Sequence, residues 1–245
     1  GREREDSIFN GADDDASGCA ALLELAQAFG SGQPPARTLV ILFTTGEETN
    51  GLGMARYMSA PAEPLASTVA NLNLEMLGRP DREAGGPGRL WLTGFERSNL
   101  GPAWQAGGLA IAADPRPEQS FFSRSDNYPL ALAGVVAQSL SSFNMHRDYH
   151  RPGDEAEKID FEHLEAAARL AFRAAATLAD GSLQPGWLPG MQPEKITVQS
   201  LGRTKNTHGL EHRKKERKGD GEDAGDDGGE DEGEDEGEDD GQGND

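Results

Sequence analysis

Apolar residues recur along this chain with two different spacings. Ala21, Leu22, Leu25, Ala26 and Phe29 fall at three- and four-residue steps, which places them on one face of a helix. Gly30 to Pro35 then stop it. The next apolar group, Leu39-Val40-Ile41-Leu42-Phe43, is unbroken, rich in β-branched and aromatic residues, and short. It predicts a buried strand over 38–44. The same reading places a short helix near 53–58, strands at 69–76, 89–93 and 134–140, and a helix at 99–107. A last helix starts from Asp160 as its cap, with Phe161, Leu164, Ala168, Ala171, Ala175 and Leu178 along its apolar face. Helices alternating with buried strands predict a layered α/β domain over residues 1–182. Residues 183–218 read as a linker punctuated by Pro and Gly, with one strand-like pattern at 196–198.

Charge changes the picture at one end. The chain has 245 residues and a net charge of -20. Residues 219–245 hold 15 acids, 9 glycines and no Lys or Arg. The remaining 218 residues carry 28 acids against 23 bases and are only mildly acidic, with no basic surface of the kind that nucleic acid requires. The acidic tail has too little apolar area to offset chain entropy, so disorder is expected there. The cluster Arg213, Lys214, Lys215, Arg217 and Lys218 reads as a solvated linker. Cys19 is the one cysteine, which excludes an internal disulfide, and its Ala-rich helical setting predicts a small buried side chain. No apolar window reaches the length of a membrane span.

Candidate chemistry gathers where strands open into loops. Glu47 and Glu48 follow the 38–44 strand pattern, at the sheet edge where ligands bind in open α/β folds. Adjacent acids can divide two tasks there, one holding a metal and the other moving protons. A solvated pair opening a helix is the ordinary alternative. Asp13-Asp14-Asp15 reads equally as a helix cap or a cation loop, Glu75 as an edge-strand acid, and His146 and His150 as loop histidines. Taken together, Asp14, Glu47, Glu48, Glu75 and His150 form a set of hard carboxylates plus imidazole that suits zinc.

Five ordered stretches carry a more specific signal. They are Asn10 to Gly18 (NGADDDASG), Gly46-Glu47-Glu48, Asn73-Leu74-Glu75-Met76, Ser125-Asp126-Asn127-Tyr128-Pro129, and His146-Arg147-Asp148-Tyr149-His150. In content and order they resemble the di-zinc aminopeptidases of the bacterial leucine aminopeptidase and aminopeptidase Y type. Glutamate carboxypeptidase and glutaminyl cyclase are more distant members of that family. The resemblance implies a three-layer α/β/α sandwich with a mixed central sheet. It implies that Asp14 is the bridging ligand and that Glu47 is the general base that deprotonates the attacking water. Glu48 and His150 would be terminal ligands of the first zinc, and Glu75 a ligand of the second, where the family usually has Asp. It also implies a peptide substrate; a secreted or periplasmic location is favoured by this resemblance alone.

Two departures qualify the carry-over. The family's first histidine ligand sits in a His-x-Asp motif upstream of the Gly-Ala-Asp-Asp loop, and here no His precedes His146. The expectation is therefore a peptidase domain lacking its N-terminal portion, with one tightly bound zinc in this chain and two in its full-length parent. Asn127 stands where many relatives have His. Removal of N-terminal residues from peptides is the leading functional expectation. A single-zinc cyclase of the glutaminyl cyclase type needs only residues matching Asp14, Glu48, His150 and Glu47, all present here. A non-catalytic scaffold of the same fold is the third reading.

Overall fold

A computed structural model describes residues 7–194. Among these residues four strands form one mixed sheet in the order β1-β4-β2-β3. They are β1 (Ala70–Glu75), β2 (Leu90–Leu92), β3 (Ile111–Ala113) and β4 (Val136–Ser141). β1 runs parallel to β4, with Ala70 opposite Val136 and Glu75 opposite Ser141. β2 is antiparallel to β4 and parallel to β3. All six residues of β4 are buried, as expected of a central strand covered on both faces.

The pleat separates two layers of helices. Leu72 and Leu74 of β1, Val136 and Leu140 of β4, and Leu90 and Leu92 of β2 meet helices α1 (Gly18–Ser31), α3 (Leu100–Ala106) and α5 (Phe161–Ala179). From β4, Ala137 points the other way, into a cluster with Met54 and Met58 of α2 (Leu52–Ser59) and Leu130 and Ala131 of α4 (Asn127–Leu132). Trp91 faces Met76, Phe121 and Phe143 in a third cluster. The expected α/β/α layering with a mixed sheet is thus present. Asp160 caps α5 as expected, its Oδ1 accepting from the His163 backbone N–H at 2.9 Å.

Several sequence expectations need correction. Residues 38–44 form neither helix nor turn, but among the described residues they join no ladder. Val40, Ile41 and Phe43 are 44, 38 and 47% exposed, and Leu42 alone of the three central aliphatics packs against the α2 and α4 cluster. β-propensity measures fit to a paired, half-buried surface, and among the described residues this run has no partner strand to supply one. Cys19 is exposed, because its position on α1 faces away from the buried Ala21 and Leu25. Phe161 is 66% exposed, since the buried face of α5 runs through His163, Ala167, Leu170, Ala171 and Ala174 instead. β3 and α4 lack sufficient length or periodicity to stand out in the sequence. Of residues 183–218, those up to 194 are described, and the first of these hold to the body. Asn99 Nδ2 donates to the Gln184 carbonyl, Leu188 N–H to the Arg97 carbonyl, and Trp187 packs on Phe122. The strand pattern at 196–198 and the acidic tail lie outside the described residues.

Candidate metal centre

The parallel pair β1 and β4 ends on the same side, so the loops after both strands converge. β1 delivers Asn73 and Glu75 to the face opposite Leu72 and Leu74. β4 leads through Ser142 to the loop that carries His146 and His150.

The acidic loop packs below these ends. Residues Ala12–Ser17 form a wide turn whose Asp14 (φ -109°, ψ 90°) and Asp15 (φ -131°, ψ 38°) leave helical space. Gly11 opens it in the left-handed region at φ 60°, and a Cβ there would collide with the Asp14 carbonyl oxygen. The three acids point three ways. Asp13 is fully buried: Oδ1 accepts from Gly78 N–H at 2.7 Å, and Oδ2 lies 3.0 Å from His146 Nε2. Asp15 Oδ1 accepts from Met76 N–H at 2.8 Å, and burial pushes its carboxyl well above the usual range. Asp14 is left to face the site.

Asp14, Glu48 and His150 meet, each from a different loop. His150 Nε2 lies 3.2 Å from Asp14 Oδ2 and 2.9 Å from Glu48 Oε1. One ligand atom from each of the three lies within 4.8 Å of the others, the one such group found among the described residues. Tyr149 stacks on the His150 ring, with centroids 3.7 Å apart, and fixes its plane. Glu47 and Glu48 sit in a turn closed by Gly51 N–H on the Glu47 carbonyl at 2.8 Å, just before α2. Glu47 is partly buried.

Electrostatics of the three groups are linked. Burial works to lower the His150 imidazole, but bonds to Asp14 and Glu48 outweigh it and push it up to about 10. The bond to His150 holds the Glu48 carboxyl below its usual range. Burial raises Asp14 despite its own bond to His150. A protonated imidazole thus sits between two carboxylates and can offset the charge of one of them.

The donor set fits zinc. Two carboxylate oxygens and one imidazole nitrogen are its ordinary ligands, and three protein donors leave a fourth position open, the pattern of catalytic sites. Ligand atoms about 2.0–2.1 Å from a tetrahedral ion stand roughly 3.3 Å apart. The 3.2 Å and 2.9 Å separations here need only a small opening.

Glu75, expected as a ligand of the second ion, is not one of these three. Its Oε2 accepts from Asn73 Nδ2 at 2.9 Å and from Ser125 Oγ. Burial, then the charge of Asp15, pushes the Glu75 carboxyl up to about 8. Asn127 is buried and structural, donating to the Phe122 and Ala137 carbonyls and accepting from Ser139 Oγ. His146 serves Asp13 and is not one of the three.

Sequence reading missed Asp154, whose carboxylate accepts from the backbone N–H groups of Asp13 and Asp14. It also missed the pairing of Asp126 with Thr44 Oγ1. The Pro-Gly-Asp turn after His150 was the available signal for Asp154.

Comparison with known proteins adds an independent line. The sequence profile described as Peptidase family M28 matches residues 3–175. A vacuolar membrane protease of Verticillium alfalfae is 31% identical over 116 residues, 44% of this chain and 10% of that protein. Among solved structures, the zinc aminopeptidase BSAP from Bacillus subtilis aligns at a TM-score of 0.58 and 20% identity, over 77% of this chain and 46% of BSAP. An aminopeptidase from Aneurinibacillus sp. strain AM-1 aligns at 0.56 and 23% identity, over 76% of this chain and 42% of that one. The chain therefore spans less than half the length of each.

Proposed function

Because this chain belongs to peptidase family M28, we propose that it carries the zinc site of a metal-dependent exopeptidase that removes N-terminal residues from peptides. The observation that carries this reading is the meeting of Asp14, Glu48 and His150, drawn from three loops, with Glu47 the sequence neighbour of Glu48. BSAP, whose fold it shares, is a zinc aminopeptidase.

In this reading Asp14, Glu48 and His150 hold one zinc ion. Bound zinc supplies positive charge that polarises the scissile carbonyl and acidifies an attacking water. His150 must release its proton for the ion to enter, so metal uptake frees protons and weakens as pH falls. Tyr149 holds the imidazole plane through stacking. Glu47 accepts the proton of the attacking water and returns it to the amine that leaves, a transfer that needs a carboxylate ionised at neutral pH. Glu75 and Asp14 offer a second ion oxygen donors only, a set too sparse to hold it tightly, so about one firmly bound zinc per chain is proposed.

A second reading rests on the same geometry. A single-zinc cyclase acting on N-terminal glutamine needs the three residues that do meet, and Glu75 is already engaged by Ser125 and Asn73. Product analysis separates the two. The zinc-loaded protein is incubated with one peptide beginning in leucine and another beginning in glutamine. Release of the free first residue from the leucine peptide supports the peptidase. Loss of ammonia from the glutamine peptide, with the chain left whole, supports the cyclase and overturns the first reading.

A further inference from the structure

Three consecutive backbone N–H groups of the acidic loop end on one residue. Ala12 N–H donates to the Asp154 carbonyl at 3.1 Å. Asp13 N–H reaches both Asp154 carboxylate oxygens at 3.0 and 3.1 Å, and Asp14 N–H reaches Oδ2 at 3.0 Å. The Asp154 carboxylate is 2% exposed on its side chain, and its charge is met by Arg79 Nη2 at 2.9 Å. The other arm of the Arg79 fork holds Asp148 Oδ2 at 2.9 Å, and Lys158 holds Asp148 Oδ1 at 2.7 Å.

These bonds have a pattern. Asp148 and Asp154 bracket His150 in sequence, and Arg79 follows Glu75 by four residues. One guanidinium therefore ties both sides of the His150 loop to the segment after β1, and Asp154 extends that tie to the backbone of Asp14. The Asp14 carboxylate itself makes no bond to this hub. It is free to face His150 because its main chain is held.

We propose that Asp154 is a positioning residue for the metal site: by binding the N–H groups of Asp13 and Asp14 while clamped by Arg79, it sets the distance between Asp14 and His150. This rests on the zinc reading above for its consequence, though not for its geometry. A carboxylate is required at 154 because every group it meets is a donor. Asparagine there would turn an NH2 toward an N–H or toward the guanidinium, leaving one donor facing another. Asp14 would then drift from His150, and a site with a misplaced ligand binds metal more weakly. Loss of an outer partner of this kind typically costs about ten- to a hundredfold in metal affinity.

The test uses the full chain with Asp154→Asn, Arg79→Lys and Asp14→Asn. Zinc dissociation constants are measured by competition with a chromophoric chelator, and crystal structures are determined for metal-free wild type and Asp154→Asn. The expected result is a roughly ten- to hundredfold weaker zinc constant for folded Asp154→Asn, a smaller loss for Arg79→Lys, and loss of tight binding for Asp14→Asn. In the metal-free crystals the Asp14 to His150 separation should widen beyond the 3.2 Å found here. Unchanged zinc affinity and an unchanged separation in Asp154→Asn would overturn the proposal. If wild type binds no zinc, the functional reading fails, and the metal-free separation still decides the positioning role. If Asp154→Asn does not fold, Arg79→Lys with wild-type zinc affinity overturns it.

Discussion

Replacing His150 with alanine should remove most of the stabilisation that zinc binding is expected to give this protein. Three side chains converge on the site, and His150 is the only nitrogen donor among them. For wild type, zinc at a hundred times its dissociation constant should stabilise the fold by about 2.7 kcal/mol. In a domain of this size each kcal/mol moves the melting temperature by about 2–4 °C, so a shift of roughly 5–11 °C is expected. Loss of an outer partner already costs up to about a hundredfold in affinity, and loss of a ligand costs at least as much. At the same zinc concentration the variant is then half occupied at best, worth about 0.4 kcal/mol, or roughly 1–2 °C. The assay is thermal unfolding followed by circular dichroism, across a zinc titration at pH 7.5. The metal-free variant should also melt below metal-free wild type, because Asp14 and Glu48 lose the imidazolium that lies 3.2 and 2.9 Å from them. A full wild-type shift in His150→Ala, at the same zinc midpoint, would show that the ion is held elsewhere.

Other consequences follow from the packing and the ion pairs. Leu140 is fully buried in the central strand, so Leu140→Ala should cost about 2–5 kcal/mol in chemical denaturation, and a loss under 1 kcal/mol would place it outside the core. Asp160→Ala removes the α5 cap and should cost about 1 kcal/mol by the same measurement, with no change in zinc affinity. Lys158 and Arg79 hold the Asp148 carboxyl at about 2, below its usual 3.8. A carboxyl lowered by folding stabilises the fold above its ordinary value, and that contribution is lost as pH falls through the window from 3.8 to about 2. Metal-free Asp148→Asn should therefore be less stable than wild type at pH 6 and closer to it at pH 2.5. An equal gap at both pH values would refute the assignment.

Legibility in the sequence varied with how local the determining forces are. α1 and α5 were readable because each buries a stripe at helical spacing, and the Asp160 cap acts within one turn. β4 was readable as an apolar run over 134–140, and β1 as a strand pattern over 69–76. Residues 38–44 were misread, because their apolar run carries no information about whether a partner strand lies alongside. At the site, Asp14, Glu48 and His150 were named from motifs, and they do meet. Which of three adjacent acids faces the site is decided by the bonds that Gly78 and His146 make to Asp13 and that Met76 makes to Asp15. Those partners lie more than 60 residues away, beyond any local pattern. Asp154 was hidden for the same reason, since its role is defined by donors at the other end of the domain.

The central claim is a division of labour between neighbouring acids, Glu48 to hold the metal and Glu47 to move the proton. Elemental analysis of wild type, Glu47→Gln and Glu48→Gln after exhaustive dialysis tests it directly. The account predicts about one zinc per chain in wild type and in Glu47→Gln, and far less in Glu48→Gln, which loses one of three protein ligands. Zinc retained by Glu48→Gln and lost from Glu47→Gln would reverse the two roles, and no zinc in wild type would remove the metal site from the account altogether.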